Sequence, residues 1–399
     1  MPLDGIPQTR SLRSTTTSDA VENARDQPIS QVLLKIHSRC NLSCDYCYVY
    51  THIDQSWRNQ PTVMSDHVID LAARRIAEHV DAHDLQAVTV ILHGGEPLLA
   101  GPAVIERAIT AVRAQVRPET RIALHVQTNG LLLDDEFLRL FARYGVRVGV
   151  SLDGGPVHND RRRVFANGRG SYADVAAALR RLAEHPERYG GILCTIHLDN
   201  EPLAVYRELL SFAPPRIDFL LPHGNWTTPP PGRDPETVDT PYADWLIPIF
   251  DEWFDAPAQP IGIRLFESIL DLLLGGPSGT EALGLGPIDL LIVETDGSIE
   301  QGDALKTTES GMAATGLHVR SATFDEALAH PGFRARQAGI NGLSATCRTC
   351  PVVRVCGGGH YAHRYRAGNG FDNPSVYCPD LMRLIRHAQR RLTARLTAS

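Results

Sequence analysis

The chain has 399 residues, of which 43% are hydrophobic and 21% charged, so it is long and apolar enough to bury a globular core. Its net charge of −7 argues against a general nucleic-acid-binding protein, which needs a basic surplus. We find no apolar run of about 18 residues and no apolar segment at the N-terminus, so the sequence predicts neither a membrane span nor a secretory signal. A cytoplasmic location is therefore expected.

Residues 1–29 are rich in Ser, Thr, Arg and Asp, a composition that predicts a mobile tail. From residue 32 onward, short apolar runs alternate with amphipathic segments of helical period. The predicted strands are 32–36, 88–92, 122–126, 146–150, 192–196 and 217–221. The predicted helices begin after Ser65, cover 105–112 and 134–143, begin near Ser171 and cover 205–209.

The second half of the chain lacks this alternation. A Pro-rich loop at 225–241 is followed by two amphipathic helices, near 242–254 and 263–274, and by a Gly- and Pro-rich stretch at 275–287. Residues 290–299 read as a hairpin with an Asp-Gly turn. We therefore divide the chain into the tail (1–29), an α/β domain (30–235), a helical bridge (236–285) and a C-terminal domain (286–399).

Six strands joined by crossover helices predict a parallel sheet that is covered on both faces. The pattern alone leaves open whether the sheet is doubly wound or curled into a partial barrel. In both cases ligands bind beyond the carboxyl ends of the strands.

Seven of the eight cysteines fall into two groups, and the first group directly follows the first predicted strand. Cys40, Cys44 and Cys47 have the spacing Cys-x3-Cys-x2-Cys. Three thiolates on a short loop can hold three irons of a four-iron, four-sulfur cluster and leave the fourth iron open to another ligand. The alternative is a structural zinc site, in which His37 or His52 would supply a fourth ligand. Cys194, the eighth cysteine, is predicted to be a buried packing residue.

This motif after the first strand resembles that of the radical S-adenosylmethionine (SAM) enzymes. The resemblance implies a partial (β/α)6 barrel of the TIM type, in which the open iron binds SAM and one electron cleaves SAM to methionine and a 5′-deoxyadenosyl radical. It also implies an external electron donor such as flavodoxin or ferredoxin.

Further motifs lie where the resemblance places SAM contacts, at the ends of the next predicted strands. The implied contacts are Tyr46 in the cysteine loop, Gly94, Gly95 and Glu96 after strand two, Gln127 and Asn129 after strand three, Ser151 and Asp153 after strand four, Arg163, and Leu193 on strand five. Arg162 competes with Arg163 for the same role. Glycine permits close backbone approach, and a carboxylate suits the SAM ammonium.

The second cysteine group, Cys347, Cys350, Cys356 and Cys378, resembles the SPASM domain, a C-terminal iron–sulfur module of many radical SAM peptide modifiers. The resemblance implies one auxiliary four-iron cluster held by these four residues. Two positions where the SPASM pattern expects further cysteines are Gly302 and His360, so we predict one auxiliary cluster and not two. Four thiolates also suit zinc, which is the alternative here.

Two carboxylates near the hairpin are candidate bases. Asp303 matches an Asp of the sulfatase-maturating relatives that takes a proton from the substrate, and Glu300 is nearby and could substitute for it.

Longer stretches of the amino-acid sequence resemble the FxsB-type maturases. These stretches are residues 35–42, 48–50, 54–58, 294–301 and 373–378. The resemblance implies modification of a ribosomally made precursor peptide, with a crosslink between an aromatic ring carbon and the β-carbon of a residue two places onward, a three-residue cyclophane. Two alternatives stay open: another SPASM reaction (thioether formation, epimerisation or formylglycine formation) and a non-catalytic iron–sulfur or zinc protein.

Overall fold

The computed structural model describes residues 27–258 and 261–398, and a mixed ten-stranded sheet runs through it. The strands are β1 Gln31–His37, β2 Ala87–Gly94, β3 Arg121–Thr128, β4 Arg147–Ser151, β5 Tyr189–Thr195, β6 Arg216–Leu220, β7 Gly262–Ile263, β8 Leu290–Val293, β9 Ser298–Glu300 and β10 Ala314–His318. Their order in the sheet is β10-β9-β8-β1-β2-β3-β4-β5-β6-β7. All pairs from β8–β1 to β6–β7 are parallel, and for β1 to β6 the alternating pattern predicts this.

Helices cross over between the parallel strands. Those of the first two thirds of the chain are Asp66–Ala82, Gly101–Gln115, Asp135–Tyr144, Pro156–Asn159, Tyr172–Ala183, Pro202–Leu210, Pro241–Asp255 and Arg264–Leu273. Ser65 caps the first of them, because its side chain accepts a hydrogen bond from the Val68 amide. The predicted partial barrel with crossover helices is confirmed.

The predicted hairpin forms, but it also extends the main sheet. β8 pairs with β9 in antiparallel fashion and with β1 in parallel fashion, so β1 lies inside the sheet rather than at its edge. The reason is visible in β1, where every residue after Gln31 is buried. A strand buried on both faces needs a neighbour on each side.

The C-terminal region contains short helices around the cysteines and one long closing helix. The helices are Phe324–Leu328, Pro331–Gln337, Ala345–Arg348, Val353–Cys356 and Cys378–Ala398. The closing helix packs against Pro241–Asp255, and one hydrophobic core contains residues of both and of the barrel. Because the sheet and the core run across residue 286, the division into four parts stays a prediction.

Residues 1–26 of the predicted tail lie outside the described residues. At the other end of the predicted tail, Ile29 is buried in the core, and the next residue, Ser30, donates its hydroxyl to Asp289 at 2.6 Å. No helix in the described ranges is both long and apolar enough to cross a membrane.

Candidate active site

A cavity of about 540 Å³ lies at the carboxyl ends of β1 to β6. Its lining includes all three cysteines of the first group and nine of the ten predicted SAM contacts: Tyr46, Gly94, Gly95, Glu96, Gln127, Asn129, Ser151, Arg163 and Leu193. Asp153 is the exception. Parallel strands bring residues that are more than 150 positions apart to one rim, so the structure assembles nearly the whole predicted set.

The glycines at the end of β2 allow the cysteine loop to lie directly against that strand. A Cβ atom at Gly94 would lie 2.1 Å from the His37 carbonyl oxygen, and one at Gly95 would lie 1.8 Å from the Tyr50 hydroxyl. The Gly95 amide donates to His37 O at 2.9 Å. Any side chain at these positions would displace the loop that bears Cys40, Cys44 and Cys47.

Glu96 is fully buried and holds the end of β3. Its carboxylate accepts hydrogen bonds from the Leu98 amide at 3.0 Å, the Thr128 hydroxyl at 2.7 Å and the Asn129 amide at 2.7 Å. An ionised carboxylate has about four acceptor positions, so one remains for a ligand that enters the cavity. Asn129 in turn donates to Asn41 at 2.7 Å and lies 3.7 Å from the Cys40 sulfur, which ties β3 to the cysteine loop.

Tyr46 connects two predicted contacts. Its hydroxyl donates to the Asp153 carboxylate and accepts from Arg163 Nη1 at 2.8 Å. Asp153 is fully buried behind Tyr46 and also accepts from the Thr195 amide at 2.8 Å, so it positions the ring and does not line the cavity. The competing Arg162 points away, to Asp45 at 2.6 Å.

Two buried polar residues that sequence reasoning missed support this group. Asn159 accepts from the Asp153 amide at 3.3 Å and donates to the Ser171 hydroxyl at 3.0 Å, and that hydroxyl donates to the Arg163 carbonyl at 2.7 Å. Ser171 was expected to cap the helix Tyr172–Ala183. It stands at the cap position but accepts no capping hydrogen bond, because its hydroxyl accepts from Asn159, and the Tyr172 amide donates to Asp160 at 2.7 Å instead.

The four cysteines of the second group also converge. Burial raises the pKa of Cys356 to about 12, and the nearby thiols of Cys378, Cys347 and Cys350 add to this shift. The guanidinium of Arg364 donates to the carbonyls of the three glycines that follow Cys356 and so fixes the loop, at 2.6 Å for Gly357. Cys194 is buried in β5, as predicted.

The two substituted SPASM positions lie together. Arg336 donates to the Gln301 carbonyl at 2.6 Å, and a Cβ atom at Gly302 would lie 3.2 Å from Arg336 Nη1. Arg336 also pairs with Glu281 at 2.9 Å, whose other oxygen lies 2.7 Å from His360 Nε2. Hydrogen-bonded charged side chains, Arg336 and Glu281, therefore lie beside Gly302 and His360, the two positions where the SPASM pattern expects further cysteines.

A second cavity of about 230 Å³ adjoins the first and contains Asp303 in its wall. Four residues line both cavities: Tyr48, Leu220, Leu221 and His223. Asp303 Oδ2 is buried without a hydrogen-bond partner in the described part of the chain.

Asp303 and Glu300 belong to a buried cluster of five charged groups. Lys35 contacts Glu294 at 2.8 Å and Asp303, while Lys306 lies 2.8 Å from Glu300 and 3.4 Å from Asp303. Burial and the neighbouring Glu294 raise the pKa of Glu300 to about 8. Burial also opposes ionisation of Asp303, but Lys35 and Lys306 outweigh it and hold the pKa of Asp303 below its usual value.

The three carboxyls therefore differ. The pKa values of Glu294 and Asp303 are lowered and that of Glu300 is raised, so Glu300 is the first of the three to take up a proton as the pH falls. Asp303 lies in the wall of the second cavity.

Sequence reasoning missed Lys35, Lys306 and Glu294. The available signal was Lys35 itself, a charged residue in the middle of an apolar strand, because lysine is almost never fully buried without a partner.

The comparisons with known proteins agree with this geometry. Residues 34–209 match the family model of the radical SAM superfamily. The serine-type anaerobic sulfatase-maturating enzyme of Bacteroides thetaiotaomicron is 23% identical over 381 residues, which cover 90% of this chain and 89% of that protein. A cysteine-type anaerobic sulfatase-maturating enzyme of Clostridium perfringens is 25% identical over 68% of this chain and 73% of its own.

Solved structures show the same fold over nearly the whole chain. The structure of anSMEcpe with bound AdoMet superposes with a TM-score of 0.78 at 21% identity and covers 91% of this chain and 98% of that one. Streptococcus suis SuiB bound to the precursor peptide SuiA gives a TM-score of 0.59 at 12% identity, covering 90% of this chain and 78% of SuiB.

The fold and the cysteine loop are those of the radical SAM superfamily, whose family model matches residues 34–209 of this chain. Within that superfamily it is similar to the anaerobic sulfatase-maturating enzymes and has a SPASM-like C-terminal region. The solved structure of anSMEcpe contains AdoMet, the cofactor that the sequence motifs predict for this chain.

Neither cysteine group is arranged as a preformed zinc site. A tetrahedral zinc ion would hold its thiolates about 3.8 Å apart, because each Zn–S bond is about 2.3 Å long. In the described ranges, three groups of His, Asp or Glu have all their ligand atoms within 4.8 Å of one another, and neither cysteine group is among them.

Proposed function

We propose that this enzyme modifies a ribosomally synthesised precursor peptide, in which it joins an aromatic ring to the β-carbon of a residue two places onward. The observation that carries the proposal is the pair of adjoining cavities that share Tyr48, Leu220, Leu221 and His223. A peptide lying across them would pass from the cysteine loop to Asp303. The sequence stretches that resemble the FxsB-type maturases support the cyclophane reaction in particular.

The residues of the first cavity would hold the cofactors. We assign the barrel cluster to Cys40, Cys44 and Cys47, and the auxiliary cluster to Cys347, Cys350, Cys356 and Cys378. When bound, the barrel cluster and SAM supply the radical that removes a hydrogen atom from the peptide, and the auxiliary cluster accepts an electron.

The SAM contacts separate into two roles. Glu96, Asn129, Ser151 and Arg163 line the cavity with polar groups for the charged end of SAM, and Tyr46 and Leu193 offer apolar surface for its adenine. Gln127 donates to Ser151 at 3.0 Å and so orients the serine hydroxyl.

Asp303 would remove the proton that the aromatic ring must lose after the new carbon–carbon bond forms. Asp303 lines the second cavity, and its lowered pKa favours the ionised form that can accept a proton. Glu300, the other predicted candidate, does not line that cavity, and its raised pKa favours the protonated form. We therefore assign the base to Asp303 alone.

The test is an anaerobic reaction of the reconstituted enzyme with SAM, a reductant such as reduced flavodoxin, and peptides encoded by the short reading frames beside the gene. We expect 5′-deoxyadenosine and a peptide that has lost two hydrogens and resists fragmentation between the joined residues. Deuterium at the Cβ of the joined residue should appear in the deoxyadenosine. An unmodified peptide mass with normal deoxyadenosine formation would contradict crosslinking.

A second candidate is the oxidation of a serine or cysteine to formylglycine. The similarity to anaerobic sulfatase-maturating enzymes over 90% of this chain favours it. Oxidation of serine also removes two hydrogens, so mass alone does not separate the two reactions. An aldehyde forms an adduct with hydroxylamine whereas a cyclophane does not, and adduct formation would therefore establish the second candidate.

A further inference from the structure

Three histidines from separate parts of the fold lie together in the wall of the second cavity. His223 follows β6 and lines both cavities, while His360 and His363 come from the loop after Cys356. One ring nitrogen of each lies within 4.8 Å of the others, and His223 Nδ1 is 3.2 Å from His363 Nε2. His223 is one of the four residues shared by the two cavities, but none of the three histidines has a chemical role in the function proposed above.

We propose that these three imidazoles bind one divalent transition-metal ion of the zinc class. A tetrahedral zinc ion lies 2.0–2.1 Å from each imidazole nitrogen, which places two ligand nitrogens about 3.3 Å apart. The His223–His363 separation already has this value. Imidazole nitrogen suits zinc, copper, iron and nickel, whereas magnesium and calcium prefer oxygen.

A carboxylate stands behind one of the proposed ligands, as is usual at metal-bound histidines. Glu281 Oε1 lies 2.7 Å from His360 Nε2, and the other Glu281 oxygen is held by Arg336 at 2.9 Å. With Nε2 bonded to Glu281, Nδ1 is the His360 nitrogen left for the metal. That nitrogen accepts a hydrogen bond from the Ala362 amide at 3.3 Å, and the metal would replace this bond.

Three protein ligands leave a fourth tetrahedral position, the arrangement of zinc sites that bind water or a substrate group. Because His223 borders both cavities, that position would be available to a carbonyl or carboxylate oxygen of a molecule in them. The site is separate from both cysteine groups, so metal binding does not depend on the reaction proposed above.

The alternative is a hydrogen bond between two neutral imidazoles, which also accounts for a separation of 3.2 Å. Metal analysis distinguishes a bound metal ion from this hydrogen bond. The anaerobic holoenzyme is mixed with one equivalent of Zn²⁺, desalted, and analysed for zinc and iron by mass spectrometry, with zinc-edge X-ray absorption to identify the ligand atoms. We expect about one zinc per chain, bound by nitrogen and oxygen without sulfur.

Two variants and a control complete the test. The double change His223→Ala with His363→Ala should reduce the retained zinc at least tenfold with iron unchanged, and Glu281→Gln should weaken zinc binding by roughly 10–100-fold. The unchanged iron content shows that the variants fold. The control changes His79 and His83 to Ala, in another close histidine group, and should retain its zinc.

Three results would overturn the proposal. They are no more zinc on the parent enzyme than on the double variant, sulfur among the zinc ligands, or equal loss of zinc in the His79 and His83 control. Loss of peptide modification with zinc binding intact would count against the proposed function only.

Discussion

At the residue scale, the decisive feature is the division of roles among the acidic side chains of one buried cluster. Lys35 and Lys306 stabilise the charges of Glu294 and Asp303, whereas burial and the nearby Glu294 raise the pKa of the third carboxyl, Glu300, although it also lies 2.8 Å from Lys306. Sequence spacing makes Glu300 and Asp303 look interchangeable. Their surroundings shift their pKa values in opposite directions, upward for Glu300 and downward for Asp303.

This difference predicts the effect of replacing Asp303. Asp303→Asn keeps the size and polarity of the side chain but cannot accept a proton, so crosslinked peptide should fall by roughly two orders of magnitude. Deoxyadenosine formation should persist, because hydrogen abstraction precedes the proton loss. Both products can be measured in one reaction by liquid chromatography with mass detection.

The matched control is Glu300→Gln, which replaces a carboxyl whose raised pKa favours the protonated form. It should retain most of the crosslinking activity. Equal loss in the two variants, with iron content unchanged, would show that the cluster acts as a unit and that Asp303 is not the base.

The raised pKa of Glu300 also predicts that the stability of the folded protein depends on pH. The pKa of Glu300 is raised in the folded state to about 8 from about 4.5, so the folded protein binds the extra proton between these values. The free energy of unfolding should therefore fall as pH rises from about 5 to 8, and Glu300→Gln should make this fall shallower. Denaturant midpoints of parent and variant across that range are the measurement, and parallel slopes would refute the assigned pKa.

At the element scale, the site depends on how closely the end of β2 approaches the loop after β1. Gly94 and Gly95 contact backbone atoms of His37 and Arg39 at distances that no Cβ could share. The sequence indicates a tight turn at these glycines but not the segment against which they pack, since that contact joins residues about 55 positions apart.

The close packing of the end of β2 against the cysteine loop can be tested by adding one methyl group at Gly95. Gly95→Ala places a Cβ 2.6 Å from the Arg39 carbonyl, a backbone atom that cannot move without the cysteine loop. We expect deoxyadenosine formation to be lost and the iron content to fall from about eight to about four per chain. Gly286→Ala is the control, because a Cβ there has no neighbour within 4 Å, and it should change neither quantity. Normal SAM cleavage by Gly95→Ala would contradict the argument.

At the scale of the whole molecule, the barrel and the C-terminal region are joined by a shared sheet and a shared core. The hairpin strand β8 extends the barrel sheet at β1, and the closing helix packs on Pro241–Asp255. This arrangement carries Asp303 to the cavity beside the cysteine loop, although the two are more than 250 positions apart in sequence.

The whole chain should hold two clusters. We expect about eight irons per anaerobically reconstituted chain, and about four in a Cys378→Ala variant that still cleaves SAM. Cys44→Ala should also lose about four irons but should produce no deoxyadenosine. A parent value near twelve would mean that a second auxiliary cluster exists despite Gly302 and His360.

The sequence alone determined the parts of this protein that depend on local pattern. Strand and helix positions follow from hydrophobic period, and the cysteine loop, the Gly-Gly-Glu turn and the four C-terminal cysteines are readable because each is a short contiguous motif or a fixed spacing. The rim of the barrel was also predictable, since parallel strands end on one side.

Only the tertiary structure decided what depends on contacts between distant segments. It shows that Asp153 lies behind Tyr46 and that Arg163, not Arg162, contacts Tyr46. It also shows that β8 extends the sheet and that Lys35 pairs with Glu294 and Asp303, which are 259 and 268 positions away in sequence. The protonation of a buried carboxyl is set by the charges packed around it, and those charges come from parts of the chain that no local pattern connects.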